Sequence, residues 1–267
     1  MQKRHSDRRQ YFIEQAATSE EFYMNYINGR LPIERGFRVL EIGCGEGGNL
    51  LPFARAGCSV SGIDRSAVRI SQARDFFRDQ NCSARFFDGD FFEMECRGEA
   101  DKYHIILVHD VIEHIRKKDA FITHIRQFLR PGGIIFWAFP AWQMPFGGHQ
   151  QICKSRCSGL PFIHLLPERL YRSVLKFNGE DRRCIEELTE IKKCGVSIEQ
   201  FEKLLQSHSL LIIDRRLWFI NPHYKQKFNL KPRRLYPFVA GMKYVRNFFT
   251  TSCFYITKYA QEAPSCN

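Results

Sequence analysis

The feature that most constrains the fold is a short apolar run that turns abruptly into glycines, VLEIGCGEGGNL at residues 39 to 50. Gly43, Gly45 and Gly47 occupy alternate positions directly after the run. Glycine is favoured where the backbone takes a positive φ or approaches a ligand without a Cβ in the way. The pattern therefore predicts a buried strand, a tight turn beside a ligand and then a helix.

Strand and helix patterns alternate along the chain from residue 37. The candidate strands are FRVLEI, CSVSGID, ARFFDGD, YHIILVHD, IIFWAFP, LLIIDRRLWFI and SCFYITKY. Helices are expected near residues 47 to 56, after Ser66, near 118 to 130 and after Ser197, because Ser is a good N-cap and Pro and Gly follow Arg130. Such alternation predicts an α/β fold, a doubly wound, seven-stranded and mostly parallel sheet covered by helices.

The chain divides into three parts on the same evidence. Residues 1 to 30 form a predicted N-terminal helical segment, with the helix over 8 to 28 and Ser6 or Asp7 as its cap. The main domain is expected over 31 to 260, with an insertion after the fifth strand at about 142 to 195, where no clear period is found. Residues 261 to 267 form a tail.

Composition supports a folded protein that stays in the cytoplasm. The 267 residues are 44% hydrophobic, which is enough for the core of one domain. The basic N-terminus does not lead into the apolar run that a secretory signal needs. The longest apolar stretch, residues 134 to 142, is far shorter than the roughly 20 residues that span a bilayer, so no transmembrane helix is expected.

The ten cysteines are interpreted as reduced thiols, because they are scattered and have no secretory context. The tightest grouping is His149, Cys153 and Cys157, with Cys184 and Cys194 downstream. It lacks the paired C-x-x-C spacing that is typical of zinc sites. We therefore predict no metal site.

A carboxylate at the strand end separates two interpretations of the glycines. Gly43, Gly45 and Gly48 also satisfy G-x-G-x-x-G, which is typical of dinucleotide binding. Glu41 lies just before them, where a pyrophosphate would favour a neutral neighbour and a cationic ligand would favour an acid. The electrostatics favour a cationic ligand.

The spacing of Glu41, Gly43, Gly45 and Gly47, E-x-G-x-G-x-G, resembles the first motif of class I S-adenosylmethionine-dependent methyltransferases. S-adenosylmethionine carries an ammonium and a sulfonium and no phosphate. The resemblance covers residues 37 to 142 well and 197 to 259 by strand pattern only. It implies a Rossmann-like methyltransferase fold, S-adenosyl-L-methionine as the cofactor and a small-molecule branch similar to enzymes of quinone biosynthesis.

The resemblance also implies a set of cofactor-binding residues. Asp64 lies 21 residues after Gly43 and would accept both ribose hydroxyl hydrogens, a role that an NAD enzyme would share. Asp90 would meet the adenine amino group and Phe91 would cover the ring, with Asp88 as a close competitor of Asp90. The whole expected set is Glu41, Gly43, Cys44, Gly45, Gly47, Asp64, Arg65, Asp90, Phe91 and His109.

Histidines supply the candidates for acid-base chemistry. The Glu113-His114 pair in HDVIEH is typical of members that act on small molecules, but it can equally cap and solvate a short helix. If the acceptor is a hydroxyl, a base must remove its proton. His149 in PFGGHQQ is the predicted catalytic base, since imidazole titrates near neutrality, and His109 is the alternate.

The net charge of +11 is concentrated near the C-terminus. Residues 215 to 260 contain ten Lys or Arg and no Asp or Glu, interleaved with aromatic residues. This suggests an anionic partner with apolar parts, or a set of core aromatics with solvated charges between them. We expect residues 217 to 238 to help form the acceptor pocket or its rim, for an acidic or phosphorylated small molecule.

Two other functions are compatible with the same sequence. Basic and aromatic residues together bind RNA or DNA, although HDVIEH is unlike the Asn/Asp-Pro-Pro-Tyr/Phe segment of base-amino methyltransferases. A non-catalytic domain that binds S-adenosylmethionine or NAD as a sensor is the other alternative.

Overall fold

The computed structural model describes residues 7 to 260, so the predicted tail over 261 to 267 and the candidate cap Ser6 lie outside it. One sheet contains all the strands of the described residues. They are β1 Arg38–Ile42, β2 Ser59–Asp64, β3 Arg85–Asp88, β4 Tyr103–His109, β5 Leu129–Phe139, β6 Leu210–Ile220, β7 Arg233–Arg234 and β8 Ser252–Tyr259.

The strand order is β3-β2-β1-β4-β5-β8-β6-β7. Strands β1 to β5 pair in parallel, and β8 pairs antiparallel with both β5 and β6. Because β8 reverses the direction twice, β6 points the same way as β5. The connections that follow β1 to β6 therefore all begin at one edge, the carboxyl edge of the sheet.

The α/β fold with a mostly parallel sheet is confirmed, but the sheet has eight strands and the prediction of seven is corrected. The additional strand, β7, is two residues long and pairs with the end of β6. So short a strand leaves no alternating pattern in the sequence. The fifth strand also begins earlier than predicted, because Leu129 already pairs with Tyr103 across an irregular register.

Helices cover both faces of the sheet. They are α1 Arg8–Thr18, α2 Asn25–Asn28, α3 Leu51–Arg55, α4 Ala67–Asp79, α5 Lys118–Phe128, α6 Glu168–Phe177, α7 Arg182–Cys194, α8 Ile198–Ser207, α9 Tyr224–Phe228 and α10 Pro237–Gly241. A π-helical segment, Ser19–Met24, joins α1 to α2, so the predicted helix over 8 to 28 is one continuous helical stretch. None of the helices in the described part of the chain is long and apolar enough to cross a membrane.

Helix caps explain where several of these elements begin. The Asp7 side chain accepts from the N–H of Gln10, and Ser66 accepts from the N–H of Arg69. At α8, Ser197 accepts from the N–H of Gln200, whose side chain accepts from the Ser197 N–H. The predicted caps at Ser66 and Ser197 are confirmed.

Replacing Ser197 with Ala is expected to lower the free energy of unfolding by about 1 kcal/mol, since one half of this reciprocal cap is lost. Urea denaturation measures the change. Ser207→Ala at the exposed end of the same helix is the matched control, and its effect should stay below about 0.5 kcal/mol. Equal losses in the two variants would contradict a specific capping role.

The insertion after β5 is more ordered than its sequence indicates. Helices α6 and α7 pack through a small buried cluster of their own, made of Cys153, Cys157, Tyr171, Leu175, Ile185 and Leu188. Helix α7 was not predicted, although Asp181 accepts from the N–H of Cys184 as a cap. Since the insertion leaves β5 at the carboxyl edge, these helices stand beside the site described next.

Candidate active site

The glycine turn after β1 requires glycines at three positions. Gly43, Gly45 and Gly47 have φ values of +69°, +52° and +80°. A Cβ on Gly43 would lie 2.4 Å from a methyl group of Val111, whereas a Cβ on Gly45 would meet nothing within 4 Å. The turn is therefore closed around Gly43 and open above Gly45.

This difference predicts that alanine substitutions at Gly43 and Gly45 lower the free energy of unfolding by different amounts. Gly43→Ala should lower the free energy of unfolding by about 2 kcal/mol, because the clash with Val111 adds to the strain of a positive φ. Gly45→Ala, the matched control, carries the strain alone and should cost about 1 kcal/mol. Thermal unfolding with and without S-adenosylmethionine checks this. A larger loss of stability in Gly45→Ala would contradict the packing account.

Glu41 is a buried carboxyl group with one unsatisfied oxygen. It is 1% exposed at the end of β1, and its Oε1 accepts from Nδ2 of Asn49 at 2.7 Å. Its Oε2 has no hydrogen-bond partner among the described residues. Burial raises the pKa of Glu41 to about 8, and the hydrogen bond from Asn49 offsets this only in part. Such a group favours a cationic or hydrogen-donating neighbour.

Asp64 ties the end of β2 to the glycine turn. Its Oδ2 accepts from the N–H of Gly45 and its Oδ1 from the N–H of Ser66, both at 2.9 Å. Each carboxylate oxygen can accept a further hydrogen bond. The carboxylate therefore both shapes the turn and faces the space above it.

Asp90 and Arg65 form an ion pair across the carboxyl ends of β2 and β3. Partial burial would raise the pKa of Asp90, but hydrogen bonds from Arg65 and the N–H of Phe92 outweigh it and lower the pKa. Asp88, the competitor for the adenine role, is exposed near Arg74. Of the two candidates for the adenine role, Asp88 and Asp90, only Asp90 lines the cavity described next.

A cavity of about 280 Å³ lies over these strand ends. It brings together five of the predicted cofactor residues and adds Asp110, which directly follows β4 and is not in the predicted set. Those five are Gly43, Asp64, Arg65, Asp90 and Phe91. The other five do not line it: Glu41, Cys44, Gly45, Gly47 and His109.

Three carboxylates and two guanidinium groups line this cavity, and both guanidinium groups have acidic partners. Arg65 pairs with Asp90, and Arg69 lies 3.9 Å from the buried Glu46. Asp64 and Asp110 line the cavity too, and no Lys or Arg of residues 7 to 260 pairs with either of them. The cavity therefore suits a ligand that carries positive charge and hydroxyl groups better than one that carries a diphosphate.

Phe91 is placed mainly in the core. Its ring is 5% exposed and meets the rings of Phe121 and Phe128 at centroid distances of 5.6 and 5.2 Å. Phe92, the next residue, also lines the cavity. Phe91 therefore offers one side to the cavity and buries the rest.

The N-terminal helical stretch contacts the end of β4 through Tyr23. The hydroxyl of Tyr23 lies 3.0 Å from Nε2 of His109, which is 3.7 Å from a carboxylate oxygen of Asp110. Burial, reinforced by Asp110, raises the pKa values of Tyr11 and Tyr224. Nothing in the sequence indicated that these three tyrosines lie near Asp110, because Tyr11 and Tyr23 belong to the N-terminal helical stretch and Tyr224 to α9.

Glu113 and His114, in the loop that follows β4, form a cluster with His149 of the insertion. The rings of His114 and His149 meet edge to face at 4.8 Å, and one donor atom of each of the three residues lies within 4.8 Å of the others. Both oxygens of Glu113 are buried without a partner in the described structure, and burial raises its pKa well above the usual value. Burial, then the neighbouring His114, lowers the pKa of His149 to about 4.

This cluster offers two kinds of chemistry. A neutral imidazole can accept a proton at pH 7, and a carboxylate with two imidazoles is also a ligand set for a divalent metal ion. The prediction of no metal site stays a prediction. His149 adopts a φ of +58°, which holds its ring against His114, and His114 itself lines the cofactor cavity.

A second cavity of about 750 Å³ adjoins the first and shares Arg65, Phe92, His114 and Ile115 with it. Its far wall is formed by α7. The segment over 217 to 238, for which a place in the acceptor pocket or its rim stays a prediction, borders a separate hollow of about 590 Å³ beside Glu21 and Phe22. Helix α7, which was not predicted, therefore lies closer to the first cavity than the hollow beside residues 217 to 238 does.

Comparisons with known proteins agree with this geometry. Curated relatives include the ubiquinone biosynthesis O-methyltransferase of Chelativorans sp. (strain BNC1), 39% identical over 103 residues, which are 39% of this chain and 40% of that protein. The enzyme of the same name from Agrobacterium fabrum is 36% identical over 107 residues, 40% of this chain and 42% of that protein. The matched regions thus span about two fifths of these relatives.

Solved structures share the fold over almost the whole chain. A putative sarcosine dimethylglycine methyltransferase from Galdieria sulphuraria has a TM-score of 0.59 at 14% identity, covering 91% of this chain and 85% of that one. The magnesium protoporphyrin IX methyltransferase of Synechocystis PCC 6803, solved with bound SAH, has a TM-score of 0.55 at 16% identity, covering 92% and 83%.

A family profile described as "Methyltransferase domain" matches residues 10–150, more than half of the 267 residues. The match includes the glycine turn and extends to His149. It confirms the resemblance to class I methyltransferases, and the chain belongs to the methyltransferase domain family.

Proposed function

We propose that the protein is an S-adenosylmethionine-dependent methyltransferase that acts on a small acceptor. The observation that carries the proposal is the pair of carboxylates in the cavity, Asp64 and Asp110, together with the buried carboxyl group of Glu41 in β1, whose Oε2 has no partner in the described structure. A sulfonium and an ammonium are stabilised by such a site, and a diphosphate is repelled by it. The family match supports methyl transfer over hydride transfer.

The cofactor is placed in this proposal by its three chemical parts. Asp64 would hold the ribose hydroxyls, while Asp90 and Phe91 would contact the adenine. The methionine half would lie along the glycine turn toward Glu41 and His109. Arg65 would keep Asp90 ionised through their ion pair, and residues 31 to 260 would form one methyltransferase domain with the insertion over 142 to 195 beside the acceptor.

A hydroxyl is the acceptor group that the curated relatives favour, since both are named as O-methyltransferases. The hydroxyl oxygen would attack the methyl carbon in line with the departing sulfur, whose bond electrons stay on S-adenosylhomocysteine. His149 would take the hydroxyl proton. Alignment of oxygen and methyl group would supply most of the rate enhancement, and the wall formed by α7 would shape the acceptor.

Isothermal titration calorimetry with S-adenosylmethionine, S-adenosylhomocysteine and NAD tests the cofactor assignment. Both adenosyl ligands should bind and NAD should not. Binding of NAD alone would overturn the proposal in favour of an oxidoreductase. Labelled methyl transfer into a metabolite extract then identifies the acceptor, and its absence despite tight S-adenosylmethionine binding would favour a non-catalytic sensor.

A further inference from the structure

The connection between β6 and β8 exposes an unusual number of large apolar side chains. Tyr236, Phe238 and Tyr244 are 78%, 77% and 70% exposed. The exposed apolar residues of 228 to 249, called here the docking face, are Phe228, Leu230, Tyr236, Phe238, Met242, Tyr244, Val245, Phe248 and Phe249. Single exposed apolar residues are ordinary, but such a concentration marks an interaction surface.

Basic side chains without acidic partners lie among these residues. No ion pair of the described residues includes Lys231, Arg233, Arg234 or Lys243, and residues 215 to 260 contain no Asp or Glu. By contrast, the nearby Arg246 is buried and paired with Glu199 and Glu202 of α8. The positive charges that lie among the docking-face residues, on Lys231, Arg233, Arg234 and Lys243, are therefore exposed to solvent.

A hollow of about 590 Å³ adjoins the docking face. Lys231 and Arg234 contribute to its lining together with Leu230 and Trp218. The lining also includes Glu21, whose charge is offset by its ion pair with Lys225. The two remaining basic groups beside apolar side chains suit a phosphate that is joined to an apolar chain. The hollow thus matches the chemistry of an anionic lipid headgroup.

The docking face lies at the edge of the sheet that also holds the cofactor cavity. Strand β6 runs parallel to β5, so the connection that follows Ile220 starts at the carboxyl edge. The ring of Phe248 lies 6.3 Å from that of Phe162 in the insertion, which leaves the sheet at the same edge. Both segments therefore border the same side of the molecule.

We propose that the docking face binds the surface of an anionic lipid bilayer. Aromatic side chains favour the interface of a bilayer, and Lys and Arg are attracted by anionic headgroups. A second copy of the chain is disfavoured because two basic faces repel each other. A nucleic acid would gain nothing from Leu230, Met242 and Val245, which neither stack on bases nor bind phosphate.

The proposal goes beyond methyl transfer and does not depend on it. One consequence rests on the proposed function: the docked protein would present its acceptor side toward the bilayer, where an apolar acceptor would dissolve. Methyl acceptors with an apolar tail are therefore the class to include in activity screens.

Sedimentation of the full chain with lipid vesicles tests the proposal. The protein should sediment with vesicles that contain phosphatidylglycerol and much less with pure phosphatidylcholine, and added salt should weaken binding. Lys231→Glu combined with Arg234→Glu should weaken the partition coefficient at least about thirtyfold. Phe238→Ser combined with Tyr244→Ser should reduce binding about tenfold or more.

Val68→Ser is the matched control, since Val68 is 69% exposed on α4, the helix between β2 and β3, which lie at the opposite end of the sheet from β6 and β7. It should leave vesicle binding unchanged. Calorimetry with S-adenosylmethionine on every variant separates a folding defect, or failure of the proposed function, from loss of docking. Three results would each overturn the proposal. The first is that the protein does not sediment with anionic vesicles, and the second is that neither double variant weakens vesicle binding. The third is that the protein binds RNA and no vesicles, and that the double variants lose this RNA binding.

Discussion

His149→Ala is expected to lower the turnover number by a factor of about 100 to 10,000, the range typical for loss of a general base. The imidazole is half-buried and in contact with His114, and desolvation lowers its pKa to about 4. It is therefore neutral and able to accept a proton throughout the neutral range. Affinity for S-adenosylmethionine should stay within about twofold, since His149 does not line the cofactor cavity.

The pH profile provides a second measurement of the same assignment. Because the folded pKa of His149 is about 4, kcat should be constant from neutral pH down to about pH 5 and fall as the imidazole is protonated near pH 4. His208→Ala is the matched control, because His208 directly follows α8, pairs with Asp119 and is not part of the cluster of Glu113, His114 and His149. Unchanged turnover in His149→Ala would discard the base.

Dialysis against a chelator distinguishes the base from a metal-dependent alternative. Glu113, His114 and His149 are close enough to hold one divalent cation together. If His149 acts as a base, turnover should survive chelation. If turnover is lost on chelation and restored by a divalent ion, His149 serves as a ligand, and the Glu113→Gln variant should then fail in the same way.

The cofactor half of the site was accessible from the sequence because its signals are local. A glycine with a positive φ, an acid that ends a strand and a serine that caps a helix each depend on a few neighbouring residues. Gly43, Asp64 and Ser66 therefore occupy the predicted places. The parallel order of β1 to β5 follows from the alternation of strands and helices.

The part of the candidate site that was not predicted depends on contacts between residues far apart in the sequence. The contact of His149 with His114, the closure of Tyr23 over His109 and the pairing of Arg65 with Asp90 leave no periodic trace. Helix α7 was missed although its cap and apolar spacing are present, because the surrounding insertion mixes short 3₁₀ turns with cysteines. The proposed acceptor side is built largely from such contacts, so the sequence alone indicated least about which acceptor it binds.

Glu41→Gln is expected to weaken S-adenosylmethionine binding about a hundredfold at pH 8, the loss expected for one charge-assisted hydrogen bond in a buried site. Burial holds the pKa of Glu41 near 8, so the free protein carries this carboxyl largely protonated at pH 7. A bound ammonium favours the ionised form. Binding should then release up to one proton, which calorimetry in buffers of different ionisation enthalpy measures directly.

The sign of the pH dependence distinguishes a ligand-binding role of Glu41 from a merely structural one. With a folded pKa near 8 and an unfolded value near 4.5, the folded protein binds the extra proton between these limits, so its stability without ligand falls as pH rises through that window. Glu41→Gln removes the cost of ionising a buried carboxyl group. The variant should therefore be more stable than the wild type at pH 8, yet bind the cofactor less tightly. Asp88→Asn, which changes an exposed carboxyl outside the cavity, should alter neither property. If Glu41→Gln is less stable at pH 8 and the proton release on binding is unaltered, the carboxyl supports the fold and does not receive the ligand.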